Sequence, residues 1–137
     1  MKTITYRCGY RYQLISDYTV QISIKPEQEV SNRFFKLECD GTLTIRADYS
    51  WDGPSGPSID TKDFMRGSLV HDVCYQMMRE GLLDSGKYRS QADDILREIC
   101  IEDGMPYWRA SYVWMAVRFG GGKSVQSGGE HEVITAP

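Results

Sequence analysis

The sequence predicts an α+β protein: an N-terminal antiparallel β-sheet or set of hairpins, then a three-helix C-terminal half containing an antiparallel helix pair. Three observations predict it. Apolar and polar residues alternate through the first part of the chain. Apolar residues recur at helical spacing in the later part. A short Gly/Pro/Asp-rich stretch separates the two. With 137 residues, 41% of them hydrophobic, the chain can bury one real core, and global disorder is excluded. The expected organisation is a single α+β domain over residues 1–122, with a β-rich part at 1–50, an irregular loop at 51–63 and a helical part at 64–119. A flexible Gly/Ser-rich tail is expected over 120–137.

Residues 2–8 and 11–16 are the first candidate strands. Tyr18, Val20, Ile22 and Ile24 alternate strictly with polar neighbours, the pattern of a half-buried strand. Pro26 and the polar run from Glu27 to Asn32 read as a loop. Phe35, Leu37 and Cys39 alternate again, and so do Leu43, Ile45, Ala47 and Tyr49. Asp40-Gly41 between these runs is the strongest hairpin signal in the chain.

The loop 51–63 holds two Gly, two Pro and three Asp, too many turn residues for a regular element. Thr61 and Asp63 are its candidate helix caps. Apolar spacing then predicts a helix from about Phe64 to Leu83, broken by Asp84-Ser85-Gly86. A second helix is expected from about Ser90 to Glu102, stopped by Asp103-Gly104. A third is expected from about Tyr107 to Phe119. Its aromatic cluster, Tyr107, Trp108, Tyr112 and Trp114, is expected to be core.

Charge narrows the function. Lys and Arg number 16 against 19 Asp and Glu, a net charge of −3, so the basic footprint of a general nucleic-acid binder is absent. No apolar run reaches the ~18 residues that cross a membrane, and the first residues hold no signal-peptide core. Cys8, Cys39, Cys74 and Cys100 form no C-x-x-C pair, so reduced and mostly buried thiols are expected rather than a zinc site. The run Gly120-Gly121-Gly122-Lys123 lacks the pattern of a phosphate loop.

Of the two histidines, His131 lies in the tail and reads as solvated. His71 lies within the first helix, on the side opposite Leu69, Val70, Val73 and Met77, and that side also carries Phe64, Tyr75, Met78 and Leu82. On the second helix Asp93 lies about 90° from the apolar centre and Asp94 nearly opposite it, so Asp93 is the better-placed partner. The short connector packs the two helices antiparallel. An Asp bound to one ring nitrogen of His71 fixes the tautomer and leaves the other nitrogen as a general base. Asp72, with carbonyls of the loop, suits a hard cation such as calcium. The same residues also suit a purely structural polar network.

Two resemblances follow. Asp52-Gly53-x-Ser55-Gly56-Pro57, Val70-His71-Asp72-x-x-Tyr75-Gln76, Arg89-x-x-Ala92-Asp93 and the stretch from Tyr112 to Gly120 resemble a family of small phage and prophage proteins. That family is a domain of unknown function, number thirteen fifty-three. It implies a viral or prophage gene, a location in the host cytoplasm or the virion, and no activity.

His71-Asp72-Val73-Cys74-Tyr75 is also similar to the H-D-x-C-Y signature of secreted phospholipase A2. This second resemblance implies His71 as base, Asp93 as its orienter with Asp94 as the alternative, Tyr75 in support, and Asp72 as a Ca2+ ligand. Trp51, Gly53 and Ser55 would add loop carbonyls, with Asp52, Gly56 and Asp60 completing the loop. The loop lacks that family's Cys-Gly-x-Gly-Gly pattern, and Arg66-Gly67-Ser68 replaces its paired cysteines. The expected function is a phage-encoded, calcium-dependent hydrolase of lipid ester bonds, with membrane phospholipid as partner and lipid entering beside Phe64, Met78 and Leu82. The alternative is a non-enzymatic virion or host-interaction protein, partnered by other virion proteins, in which the His/Asp network is structural.

Overall fold

A computed structural model describes residues 3–7, 12–51 and 62–120. The fold is α+β, with antiparallel strands in the N-terminal half and three helices after them. The expected tail residues 121–137, His131 and Cys8 lie outside the described residues, as do Asp52, Gly53, Ser55, Gly56, Asp60 and Thr61.

The larger sheet has four strands: β3 (Tyr18–Gln21), β4 (Val30–Ser31), β5 (Phe35–Leu37) and β6 (Thr42–Ile45), in the order β3-β6-β5-β4. Its register puts Tyr18 opposite Ile45, Val20 opposite Leu43, Leu37 opposite Leu43 and Val30 opposite Leu37. All of these are buried, while Thr19, Gln21, Ser31, Lys36, Thr42 and Thr44 take the other face. Period-two patterning therefore chooses the face that meets the core.

The Asp40-Gly41 turn joins β5 to β6, and Asp40 Oδ1 accepts from the Thr42 amide at 2.9 Å. Gly41 has φ 91°, and a Cβ there would stand 2.3 Å from the Ile22 carbonyl oxygen. Both facts require glycine at this point.

Several boundaries differ from expectation. The strand at Tyr18 stops at Gln21, although burial still alternates through Ile24. The polar run 27–32 contains β4, because Val30 can add to the sheet beside Leu37. The strand through Leu43 and Ile45 ends before Ala47, and Asp48 adopts φ 75° as the chain turns. Cys39 is exposed, since the turn begins just before it.

The smaller sheet joins β1 (Tyr6–Arg7), β2 (Tyr12–Leu14) and β7 (Ser50–Trp51) in the order β1-β2-β7. Trp51 is therefore the end of a strand and not loop. Its ring packs with Tyr6 and Tyr12 at centroid distances of 5.9 and 5.7 Å. Its indole N–H donates to Ser68 Oγ at 3.1 Å, which ties this sheet to the first helix.

The helices are α1 (Lys62–Arg79), α2 (Ser85–Glu102) and α3 (Tyr107–Gly120). Helix α1 ends four residues earlier than Leu83; Gly81 follows with φ 75°, the usual left-handed stop. Helix α2 begins five residues earlier than Ser90. Asp84 does not merely break the first helix: it caps the second, its side chain accepting from the Gly86 amide at 3.0 Å. Asp63 lies inside the first turn of α1, where its charge suits the helix N-terminus.

The core lies between the four-stranded sheet and the α1–α2 layer, with Leu43, Ile45, Leu69, Val73 and Met77 all at 0% exposure. Buried Arg66 closes one end of this layer. It donates to Tyr18 Oη at 2.8 Å, to the Asp103 carboxylate at 2.9 and 3.0 Å, and to Glu102. Burial would lower its guanidinium, but these acceptors outweigh it and hold the group above its ordinary value.

Candidate functional site

Helices α1 and α2 run antiparallel and leave no room for a side chain at Gly67. A Cβ there would stand 2.8 Å from Cys100 Sγ and 3.1 Å from Leu96 Cδ1. This close seam brings polar side chains one turn further along α1 onto α2. Nε2 of His71 lies 2.8 Å from Asp93 Oδ1, and Tyr75 Oη donates to the same oxygen at 2.5 Å. His71 and Tyr75 are one turn apart on α1, with ring centroids 4.1 Å apart. Arg118, from α3, donates to Asp93 Oδ2 at 2.9 Å.

Asp93 is at 0% exposure and His71 at 7%. Burial alone would raise the Asp93 carboxyl. Hydrogen bonds from His71, Tyr75 and Arg118 outweigh burial and hold it below the ordinary carboxylate value. Burial and the neighbouring Asp93 charge push the Tyr75 hydroxyl up, so it remains a donor. The same two causes push the Cys74 thiol up to about 12.

A carboxylate of this kind accepts a hydrogen bond from the Nε2–H of a neutral imidazole, which leaves the lone pair on Nδ1. Nδ1 of His71 makes no hydrogen bond among the described residues; the carboxylate oxygen Oδ1 of Asp72 is 4.0 Å away. Asp72 keeps 39% of its side chain exposed.

The other sequence-predicted residues fall elsewhere. Asp94, the alternative orienter, faces α3 instead, and its Oδ1 accepts from the Trp114 indole at 2.8 Å. One residue along a helix turns a side chain by about 100°, which sends Asp93 to His71 and Asp94 to Trp114. Among the described residues no group of three or more His, Cys, Asp or Glu could hold a metal ion. Asp72 is the one predicted metal carboxylate described, and Gly53 and Ser55 are not described.

The expected lipid path beside Phe64, Met78 and Leu82 is not an open face. Phe64 and Met78 are buried, in two different apolar clusters, and only Leu82 is exposed. The aromatic residues of α3 are also not core. Tyr107, Trp108 and Tyr112 are 68%, 72% and 58% exposed, and Trp114 is half-buried. Helix α3 packs inward through Ala110, Val113 and Val117, whose small side chains permit close approach. Trp108, Tyr112, Met115 and Phe119 therefore form an outward stripe.

Two functional partners were missed by sequence reasoning. Arg118 lies 25 positions from Asp93 on a different helix, so no local spacing rule joins them. Arg89 was legible as part of a motif but not as a tie. It donates to Tyr75 Oη at 3.3 Å and to the Val117 and Arg118 carbonyls at 3.0 and 2.7 Å.

Fold and site together define an α+β protein with a buried histidine–aspartate pair held across two antiparallel helices. The chain belongs to the family described as "Protein of unknown function (DUF1353)", whose model matches residues 42–117. That span carries His71, Asp72, Tyr75, Arg89 and Asp93 and stops one residue before Arg118. No curated protein and no solved structure matches the chain. No helix among the described residues is long and apolar enough to cross a membrane.

Proposed function

We propose that the protein is a phage- or prophage-encoded hydrolase of lipid ester bonds, with a site like that of phospholipase A2. One observation carries the reading. His71 has Nε2 bound to the buried Asp93 carboxylate, and Nδ1 makes no hydrogen bond among the described residues. In this reading Nδ1 takes a proton from water as that water attacks the ester carbonyl. Asp93 steadies the imidazolium that forms, and Tyr75 holds the carboxylate in place. His71 then returns the proton to the leaving alkoxide.

Asp72 is the carboxylate that would hold a calcium ion, with backbone carbonyls at Trp51, Gly53 and Ser55 as further donors. One carboxylate with neutral oxygens suits calcium's chemistry. When bound, the ion would polarise the ester carbonyl. The protein would act on membrane phospholipid, in the host cytoplasm or from the virion.

The test is release of fatty acid from phosphatidylglycerol vesicles, with calcium or with chelator. Wild type should release fatty acid with calcium, and His71→Ala should lower the rate by about 100-fold or more while the protein stays folded. Equal rates for both proteins, or none for wild type, would overturn the reading.

A second reading is favoured by the closure of the network. Both oxygens of Asp93 are already engaged, which suits a structural tie in a non-enzymatic virion or host-interaction protein. It expects no hydrolysis by wild type and a clear fall in melting temperature for His71→Ala.

A further inference from the structure

We propose that Arg118 is a positioning residue for the His71–Asp93 pair: its guanidinium holds Oδ2 of Asp93 so that Oδ1 stays on Nε2 of His71. The inference deepens the hydrolase reading and rests on it for its kinetic consequence.

The geometry divides the work between the two carboxylate oxygens. Oδ1 is shared by His71 Nε2 at 2.8 Å and Tyr75 Oη at 2.5 Å. Oδ2 receives Arg118 Nη1 at 2.9 Å. With Arg118 in place Asp93 is fully buried, so removing the guanidinium takes from Oδ2 the charge that offsets its burial. A buried carboxylate oxygen stripped of its cation has two ways to relax. The group turns, which moves Oδ1 off Nε2, or it takes up a proton.

The second outcome alters the histidine directly. A carboxyl that takes the proton on the freed Oδ2 and then turns presents that O–H to Nε2, and the neutral ring must then carry its own proton on Nδ1. Water can no longer give its proton to that nitrogen. A cation on Oδ2 prevents this by keeping Asp93 an acceptor.

Arg118 is itself held in place. Arg89 donates to the carbonyl oxygens of Val117 and Arg118, two of the last four carbonyls of α3, which have no partner within the helix. It also reaches Tyr75 Oη. The two arginines thus cross-link α2 and α3 in opposite directions: Arg118 ends on Asp93, and Arg89 on Tyr75 and the last turn of α3. The side chain of Arg118 is 28% exposed while that of Asp93 is at 0%, so substitution at 118 disturbs the pair with little loss of packing.

The experiment compares wild type, Arg118→Gln and Arg118→Lys in the full chain, with folding checked by near-ultraviolet circular dichroism. The tautomer of neutral His71 is read from imidazole nitrogen shifts, with His71→Asn to assign the signal. Wild type should carry the proton on Nε2. Arg118→Gln should populate the Nδ1-protonated ring and lower kcat on phosphatidylglycerol vesicles about 10-fold, with KM within about twofold. Arg118→Lys should restore both. A folded Arg118→Gln protein with the wild-type tautomer overturns the proposal and leaves Arg118 a tie between helices. If Gln at 118 prevents folding, a folded Arg118→Lys protein with the proton on Nδ1 also overturns it. Absence of hydrolysis by wild type defeats the hydrolase reading instead, and the tautomer measurement still decides the role of Arg118.

Discussion

Asp93 Oδ1 accepts from Tyr75 Oη at 2.5 Å while the same oxygen lies 2.8 Å from His71 Nε2. One buried oxygen therefore joins two side chains that stand one turn apart on α1, and it does so from α2. The antiparallel seam and the histidine pair are one construction, and substitutions at either should be felt at both.

Asp93→Asn removes a buried charge that holds three partners. We expect a loss of about 3 kcal/mol in urea unfolding at neutral pH, the usual scale for breaking a buried charge network. The folded carboxyl is held below its ordinary value, so its contribution is complete above about pH 4, the unfolded aspartate range. It is lost as pH falls through the lower folded value. The stability difference between wild type and Asp93→Asn should shrink in acid, and a difference that stays constant there would contradict this assignment.

Gly67→Ala should push α1 and α2 apart, because its Cβ would meet Cys100 Sγ at 2.8 Å. The expected cost is about 1–3 kcal/mol, the range for overpacking. The double variant Gly67→Ala/Cys100→Ala should recover part of it. Additive losses in this cycle would mean the contact does not limit helix approach.

Calcium should raise the melting temperature of wild type and leave Asp72→Asn unchanged. At 100 times its dissociation constant, a ligand of the folded state adds about 2.7 kcal/mol. Equal behaviour of the two proteins, with calcium or with chelator, would remove Asp72 as the ligand.

Thiol labelling should separate the described cysteines. Cys39 is exposed and should react first with a disulfide reagent in the native protein. Cys74 and Cys100 are buried, and burial pushes both thiols up to about 12, so they should react only on unfolding. Fast labelling of Cys74 in the native state would show that the α1 face beside Asp93 opens readily.

The outward stripe of α3 should contribute little to folding. Trp108→Ala should change stability by less than about 0.5 kcal/mol, whereas Leu69→Ala in the core should cost about 2–5 kcal/mol. A large loss for Trp108→Ala would mean that this face is covered in the folded protein.

The sequence by itself determined the strand-rich first half, the three helices and one pairing of the site. Alternation places every buried residue of the four-stranded sheet on one face because strand side chains point to opposite faces in turn. Helical spacing and a short connector bring Asp93 opposite His71, since both facts concern neighbouring elements. Only the tertiary structure decided which way α3 turns its aromatic stripe. Periodicity reveals a stripe but not what it faces, and here the small residues Ala110 and Val113 take the packing side. It also decided where Arg118 and Arg89 reach, because links between distant positions depend on how three helices settle against one another. Local spacing carries no record of that settlement, whereas the buried oxygens of Asp93 require it.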